Sequence, residues 1–269
     1  MTCSPLPQKS FRQRLKDGDV VIGPWCVIPS APVMNITANA GFDFVIVDME
    51  HGPTSFETAE AMVRAAQSEG VHAVVRLGAA SEDGVLRSLD IGSDGIICAH
   101  VETAKDAREV VAFSKYWPDG CRGFSPFTRA GRYSSDDITT HAGVQNERTM
   151  VGVILEGKAG LDNLDEILEI PNLDLVYIGA YDLSQALGVP GQVGHPEIRK
   201  ALERCVRKIR DAGVAAGGFV ARNRDDMTWM TSTGMQFITY LPDCTAIHLA
   251  MRSAVADFRG VLEKGGFGR

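Results

Sequence analysis

The stretch that decides the fold is FVIVDM at residues 44–49, an apolar run followed directly by the polar groups of Glu50 and His51. A run of this kind, without alternation of polar and apolar residues, is typical of a parallel β-strand that is covered on both faces. The same pattern returns in GIICAH at 95–100 and LVYIGAY at 175–181. The chain is therefore predicted to contain a buried parallel sheet whose polar groups gather where the strands end.

Eight such runs, short and rich in Val and Ile, alternate with longer amphipathic segments. Two of these segments, SFETAEAMVRAAQSEG and HPEIRKALERCVRKIRDAG, have helical spacing and end at a glycine, which commonly stops a helix. Eight parallel strands close a (β/α)8 barrel. We therefore predict an α/β fold, a (β/α)8 TIM barrel that forms a single domain over residues 1–269. The predicted strands are 20–27, 44–49, 73–77, 95–100, 151–156, 175–181, 215–220 and 237–241.

A long loop is expected at about 116–149, because this segment is too long for a plain connection between a helix and a strand. Its arginines Arg122, Arg129 and Arg132 alternate with aromatic residues. The loop could contact substrate or another subunit, and a solvated surface insertion is the alternative. The segment from Thr245 to Leu262 is predicted to be a helix.

The composition is that of an ordinary globular protein, with 45% hydrophobic and 23% charged residues and a net charge of -7. The negative charge argues against nucleic acid or an anionic membrane as a partner. The first residues, MTCSPLPQKSF, lack an apolar signal segment, and no apolar run approaches the ~18 residues of a membrane span. The six cysteines lack metal-finger or CxxC spacing, which favours free thiols in a reducing compartment. These features predict a cytoplasmic enzyme.

Active sites of (β/α)8 barrels lie at the carboxyl ends of the strands, so the residues at those ends are the first candidates for a functional site. In this chain, polar and charged groups are rare inside the predicted strands and common at their ends. The residues at the predicted strand ends are Trp25, Asp48, Glu50, His51, Arg76, His100, Glu156, Asp182 and Asp243.

Two of these residues, Glu156 and Asp182, have the chemistry of metal ligands. Two carboxylates would supply hard oxygen ligands to Mg²⁺ or Mn²⁺ and leave positions open for water and a bidentate oxo acid. Either acid could instead cap the helix that follows it. Arg76 has a planar guanidinium that suits a substrate carboxylate or a developing enolate, and a structural salt bridge is its alternative role.

His51 is a candidate general base, because a neutral imidazole beside an orienting acid accepts protons near pH 7. A structural role is the alternative. Asp90 lies on the connection before the fourth predicted strand. From there it could reach the carboxyl ends only across a subunit boundary or through a local bend.

Five sequence blocks surround these residues: GFDFVIVDMEHGP, VVRLG, DIGSDGIICAHVETAKDA, YWPDGCRG and IGAYDLSQALGVPGQVGHPEI. In order and spacing they resemble the signature blocks of the HpcH/HpaI aldolase family, the metal-dependent class II pyruvate aldolases. The resemblance runs from about Val21 to Asp243, which is most of the chain.

The resemblance implies a (β/α)8 barrel, usually a homo-hexamer whose last helix is exchanged between neighbours. It also implies a divalent metal (Mg²⁺, Mn²⁺ or Co²⁺) and cleavage or formation of a 4-hydroxy-2-oxo acid from a pyruvate-type keto acid and an aldehyde. Glu156 and Asp182 match the metal-binding carboxylates of the family. Arg76 matches the arginine that stabilises the pyruvate enolate.

Further roles follow from the same resemblance. His51 matches the histidine that moves protons through a metal-bound water, and Asp90 matches the acid that pairs with that histidine. Trp25 and Asp48 match residues near the aldehyde end of the substrate. The positions implied for substrate binding are Trp25, Asp48, Gly179, Ala180 and Tyr181.

Three positions depart from the family pattern. Ile154 stands where the family commonly has Gln, and Ala99 and Ala180 stand where it often has Pro. The metal-binding acids are intact, so we predict a divalent-metal aldolase or lyase. The departures leave open the aldehyde substrate, and also whether the chemistry is aldol cleavage or decarboxylation of an oxaloacetate-like acid.

Two other functions remain as alternatives. Lys158, two residues after Glu156, could form a Schiff base with the keto acid. The chain could also be a non-catalytic barrel that binds a keto acid, although the complete set of Glu156, Asp182, Arg76 and His51 argues against it.

Overall fold

In the computed structural model, eight parallel strands hydrogen-bond to their neighbours in chain order, and the last strand pairs with the first. The structure describes residues 9–135 and 137–264. The predicted (β/α)8 barrel is thereby confirmed. The strands are β1 (Val21–Cys26), β2 (Phe44–Asp48), β3 (His72–Leu77), β4 (Gly95–Cys98), β5 (Met150–Leu155), β6 (Leu175–Ile178), β7 (Ala215–Ala221) and β8 (Phe237–Tyr240).

Helices lie between the strands and at both ends of the described chain. The two amphipathic segments are helices, and each is followed by a glycine in the left-handed region, Gly70 (φ 78°) and Gly213 (φ 76°). The helices are α1 (Phe11–Lys16), α2 (Ala31–Asn39), α3 (Phe56–Ser68), α4 (Glu82–Asp90), α5 (Ala104–Ser114), α6 (Ile138–Arg148), α7 (Lys158–Asp162), α8 (Leu164–Leu168), α9 (Ala180–Ala186), α10 (Pro196–Asp211), α11 (Arg224–Ser232) and α12 (Asp243–Lys264).

The sixth strand is shorter than the sequence predicts. It ends at Ile178, and the chain turns at Gly179 into α9, so the apolar residues Ala180 and Tyr181 belong to a helix. The prediction of a strand to residue 181 was wrong because an apolar run has the same appearance in a buried strand and at the start of a helix.

Apolar side chains fill the barrel interior, and the short helix α1 covers its N-terminal end. Phe11 of α1 is fully buried, with its ring 5.3 Å from the ring of Phe44 and 6.1 Å from that of Phe237. The hydroxyl of Tyr177 donates to the carbonyl of Phe219 (2.9 Å) and lies 2.8 Å from the hydroxyl of Thr239. These contacts leave the interior apolar or internally hydrogen-bonded beneath the strand ends.

The segment at 116–149, expected to be a long loop, contains the helix α6. It lies at the N-terminal end of the barrel, where Arg122 forms an ion pair with Asp90 (2.8 Å) and Arg129 donates to the carbonyl of Ile91 (3.0 Å). Lys115, just before the segment, donates to two backbone carbonyls within it at 2.7 Å, and burial lowers its pKa to about 8. The segment therefore lies at the opposite end of the barrel from the carboxyl ends of the strands in the same subunit. This position does not support contact with a substrate bound at those strand ends.

The last described helix, α12, begins beside β1, where the carboxylate of Asp243 accepts from the backbone N–H groups of Val27 (3.1 Å) and Ile28 (3.2 Å). The rest of this 22-residue helix is largely exposed. Its exposed apolar residues are Ile247, Leu249, Met251, Val255, Phe258 and Val261.

Among the described residues, no helix has the length and apolar character needed to cross a membrane. Five cysteines within the described ranges are free thiols, and the sixth, Cys3, lies outside those ranges. Burial raises the pKa of Cys98 to about 12, so that thiol stays protonated and unreactive near neutral pH.

Candidate active site

Arg76 lies at the carboxyl end of β3 and contacts two carboxylates from the neighbouring strand β2 and the turn after it. The register pairs Asp48 with Arg76, and the Arg76 Nε and Nη2 atoms both donate to the Asp48 carboxylate, the first at 3.0 Å. The Nη1 atom lies 2.7 Å from Oε2 of Glu50. Because these three side chains are nearly buried, the ion pairs neutralise charge that would otherwise be poorly solvated.

An aromatic side chain lies beneath this arginine. The guanidinium carbon of Arg76 is 4.7 Å from the centroid of the Trp25 ring, and the Trp25 ring meets Tyr177 edge-on at 5.6 Å. The cation–π contact favours a fixed position for the guanidinium. The indole nitrogen of Trp25 is buried and lies close to the Tyr177 side chain.

His100, just after β4, bridges two acids. Its Nε2 atom lies 2.9 Å from Oε1 of Glu50, and its Nδ1 atom lies 2.7 Å from Oε1 of Glu156. The backbone N–H of His100 also donates to Oε1 of Glu156 at 3.1 Å. His100 has a left-handed backbone (φ 57°), which is uncommon for residues other than glycine.

Glu156 and Asp182, the predicted metal ligands, line one cavity. Glu156 directly follows β5, and Asp182 lies in the first turn of α9. The cavity has a volume of about 280 Å³ and is also lined by His100, Val101, Glu102, Gly157, Gln185 and Ala186.

The electrostatics of this cavity suit a cation. Burial raises the pKa of Glu156, the nearby His100 opposes that rise, and the negative charges of Asp182 and Glu50 add to it. Ile154, on the same side of β5 as Glu156, belongs to the apolar interior. A set of carboxylates around one imidazole has the donor chemistry for a divalent metal, so the residues present fit such an ion.

Asp182 does not cap the helix in which it lies. The cap position of α9 is Gly179, without a side-chain hydrogen bond, and the Asp182 carboxylate accepts from Nε2 of Gln185 at 3.0 Å. Ala180 is buried and Tyr181 is exposed. A β-carbon added at Gly179 would lie 2.7 Å from Cβ of Glu156, so the absence of a side chain there leaves room for the Glu156 carboxylate.

His51 and Asp90 lie far apart in the fold of one chain. His51 is exposed in the turn after β2, and its backbone N–H donates to Oδ1 of Asp48 at 3.0 Å. Asp90 is the last residue of α4, at the N-terminal end of the barrel, where it pairs with Arg122. Contact between Asp90 and His51 therefore requires a second subunit.

Lys158 does not have the surroundings of a Schiff-base lysine. It is the first residue of α7, its side chain is 72% exposed, and its ammonium group pairs with Asp162 one turn further along the helix. A lysine that forms a Schiff base at neutral pH is normally desolvated or placed beside another cation.

Glu50 and His100 are the site residues to which sequence reasoning gave no role. Each lies two residues after the end of a strand that neighbours β3, Glu50 after β2 and His100 after β4, and both were among the polar residues at the predicted strand ends. What the sequence could not show was that the imidazole of His100 lies between Glu50 and Glu156, because a left-handed backbone at a histidine has no sequence signature.

Comparisons with known proteins identify one family. The model of the HpcH/HpaI aldolase/citrate lyase family matches residues 22–246. A 2-keto-3-deoxy-L-rhamnonate aldolase of Escherichia coli O1:K1 / APEC is 34% identical over 250 residues, which cover 93% of this chain and 92% of that protein.

Two solved structures superpose on nearly the whole chain. An HpcH/HpaI aldolase from Desulfitobacterium hafniense DCB-2 superposes with a TM-score of 0.90 at 28% identity, covering 97% of this chain and 100% of that one. The citrate synthase SbnG superposes with a TM-score of 0.85 at 27% identity, covering 96% and 99% of the two chains.

Gly179 lies so close to Glu156 that a side chain at this position should disturb metal binding. In Gly179→Ala the new methyl group would displace the Glu156 side chain, so the affinity for Mn²⁺ should fall roughly 10-fold or more, as when groups that position a metal ligand are lost. Isothermal titration with Mn²⁺ measures this. The matched control is Gly143→Ala, whose β-carbon meets nothing within 4 Å. An Mn²⁺ affinity unchanged in Gly179→Ala would contradict the role of Glu156 as a ligand.

Proposed function

The chain belongs to the HpcH/HpaI aldolase/citrate lyase family and is a carbon–carbon lyase, and we propose that Glu156 and Asp182 bind the divalent metal on which its aldolase reaction depends. The reaction cleaves or forms a 4-hydroxy-2-oxo acid, with a pyruvate-type enolate and an aldehyde as the two fragments. The observation that carries the proposal is the convergence of acidic side chains and His100 on one cavity beside the buried Arg76.

The substrate we propose is a 2-keto-3-deoxy acid, the chemical class named for the Escherichia coli relative. Such an acid has no hydroxyl on carbon 3, so cleavage of the bond between carbons 3 and 4 leaves a pyruvate-type fragment. A bound divalent cation would stabilise, as a Lewis acid, the negative charge that develops on the keto oxygen. Glu156 and Asp182 would hold that cation through carboxylate oxygens.

Arg76 contributes a fixed positive charge beside the metal-binding acids. Its guanidinium is held by Asp48, Glu50 and the face of Trp25, so it needs no reorganisation as the enolate forms. Preorganised donors of this kind stabilise developing negative charge more effectively than water does. We assign Arg76 to the stabilisation of the enolate, and Trp25 and Asp48 to the wall near the aldehyde.

His51 is proposed as the group that takes the proton from the 4-hydroxyl, through a water molecule. Its backbone is fixed by Asp48, and its exposed side chain is free to approach a substrate that enters from solvent. Asp90 of a second copy of the chain would pair with His51, because Asp90 of the same chain is at the far end of the barrel.

Metal removal provides the first test of this function. Exhaustive chelation should abolish turnover, and Mn²⁺ or Mg²⁺ should restore it, because the cation carries much of the charge stabilisation. Glu156→Ala and Asp182→Ala should each lose roughly 10²-fold or more in kcat/KM together with metal affinity. Lys158→Ala is the control and should keep wild-type turnover. Turnover that survives chelation, or an adduct trapped on Lys158 by borohydride with pyruvate, would instead support the Schiff-base mechanism.

Separate substitutions test the roles of Arg76 and His51. Arg76→Ala should slow cleavage, condensation and exchange of the pyruvate methyl protons alike, by on the order of 10²-fold or more, because each of these reactions passes through the enolate. His51→Ala should slow cleavage and condensation by roughly 10²- to 10⁴-fold and leave pyruvate binding intact.

Because Arg76→Ala leaves the carboxylates of Asp48 and Glu50 without their partner, Arg76→Lys should be measured beside it, with circular dichroism to confirm folding. The assignment of His51 as the base is wrong if His51→Ala loses pyruvate binding and keeps its turnover at saturation.

A homo-oligomer, specifically a hexamer with α12 exchanged between neighbours, is part of the proposal. It is supported by the exposed apolar residues of α12 and by the position of Asp90. Light scattering at micromolar concentration should give the mass of a hexamer. Phe258→Glu should reduce that mass, because a charge would replace an apolar contact, whereas the control Arg252→Glu, on the same exposed helix, should not. A monomer mass for the wild-type protein would contradict both the hexamer and the pairing of Asp90 with His51.

A further inference from the structure

The imidazole of His100 lies between two acids, and each of its ring nitrogens faces one of them. One faces Glu50 and the other faces Glu156, at 2.9 and 2.7 Å. Potential ligand atoms of Glu50, His100 and Glu156 all lie within 4.8 Å of one another. The side chains of both acids are nearly buried, whereas that of His100 is 62% exposed, so a cation can reach this group from solvent.

We propose that His100 is itself a ligand of the divalent cation, through Nδ1, and that the site therefore prefers transition cations such as Mn²⁺ and Co²⁺ to Mg²⁺. The inference rests on the proposed function, since it places His100 beside Glu156 in the same metal site. It goes further by naming a nitrogen ligand and a preference among cations.

The spacing of the ligand atoms supports direct coordination. Two adjacent ligands of an octahedral cation with bonds of ~2.1 Å are about 3 Å apart. The Nδ1 atom of His100 and Oε1 of Glu156 are already 2.7 Å apart. A cation can therefore replace the proton between these two atoms after a separation of only a few tenths of an ångström.

Glu50 is positioned to orient the ring of His100. Such a histidine almost always donates its second ring N–H to a carboxylate, a backbone carbonyl or water, which fixes the tautomer and the ring orientation. Nε2 of His100 faces Oε1 of Glu50, and Glu50 is in turn held by Nη1 of Arg76 at 2.7 Å. When a cation takes the place of the proton between Nδ1 and Glu156, Nε2 can still donate to Glu50, and the lone pair of Nδ1 faces the cation.

The backbone of His100 holds the same arrangement independently of the ring. Its N–H donates to Oε1 of Glu156, so the two residues stay together whichever way the imidazole turns. A nitrogen ligand changes the preference of the site, because carboxylates suit Mg²⁺ and Mn²⁺ alike, whereas an imidazole adds affinity for transition cations and not for Mg²⁺.

Pulsed electron paramagnetic resonance of the Mn²⁺-loaded full chain tests the proposal without reference to turnover. The electron spin echo of the wild-type protein should show modulation from an imidazole nitrogen, and His100→Ala should lack it. His100→Asn is the second variant, because asparagine tolerates the left-handed backbone and has no ring nitrogen. His51→Ala, which removes an imidazole outside the group formed by Glu50, His100 and Glu156, should keep the modulation.

The preference among cations is measured by titrating each protein with Mn²⁺ and with Mg²⁺. In both His100 variants the ratio of Mn²⁺ affinity to Mg²⁺ affinity should fall roughly 10- to 100-fold, which is the range for losses at metal sites. Nitrogen modulation that persists in both variants, or an unchanged affinity ratio, would overturn the proposal.

Glu156→Ala separates this proposal from the metal site itself. If the wild-type protein shows no nitrogen modulation and Glu156→Ala loses Mn²⁺ binding, the metal site stands and His100 is not its ligand. If Glu156→Ala binds Mn²⁺ as tightly as the wild-type protein, the proposed metal site fails, and the assignment of His100 fails with it.

Discussion

The ion pairs that Arg76 makes with Asp48 and Glu50 hold the carboxyl ends of the strands together. Carboxylates this deeply buried are tolerated only when they are paired, because removing an ion from water costs several kcal/mol. The register of β2 and β3 sets Asp48 opposite Arg76, so the pairing follows from the way these two strands align. Arg76 offsets one of these two negative charges, so the group that also contains Glu156 and Asp182 keeps a net negative charge, which a cation would offset.

The dry interior beneath the site strengthens these interactions. Trp25 lies under the guanidinium, and Tyr177 lies against Trp25 with its hydroxyl bonded to the carbonyl of Phe219. Burial raises the pKa of Tyr177, so it remains a neutral support and adds no charge. Because electrostatic interactions are stronger in such an environment than in water, a single arginine can fix the positions of two carboxylates.

The sequence predicted all eight strands and the strand ends that carry Arg76 and Glu156, because buried parallel strands leave a pattern of apolar runs closed by polar residues. It did not predict the end of the sixth strand, since Ala180 and Tyr181 are apolar in a strand and in a helix alike. The short helix α1 was missed because six residues are too few to show a helical period. The bridging position of His100 was missed for another reason, since a left-handed backbone at a histidine has no sequence signature.

Glu50 connects Arg76 with His100. It contacts Arg76 through one oxygen and His100 through the other, so the position of the imidazole depends on the charge of the arginine. Residues that share a partner in this way are not independent, and the effects of substituting them do not add. If Arg76 has its proposed role, a loss of turnover after replacing it contains two parts, the stabilisation of the enolate and the orientation of His100 by Glu50. Only a double substitution of Arg76 and His100, compared with each single one, separates the two parts, because the second part is already absent once His100 has been replaced.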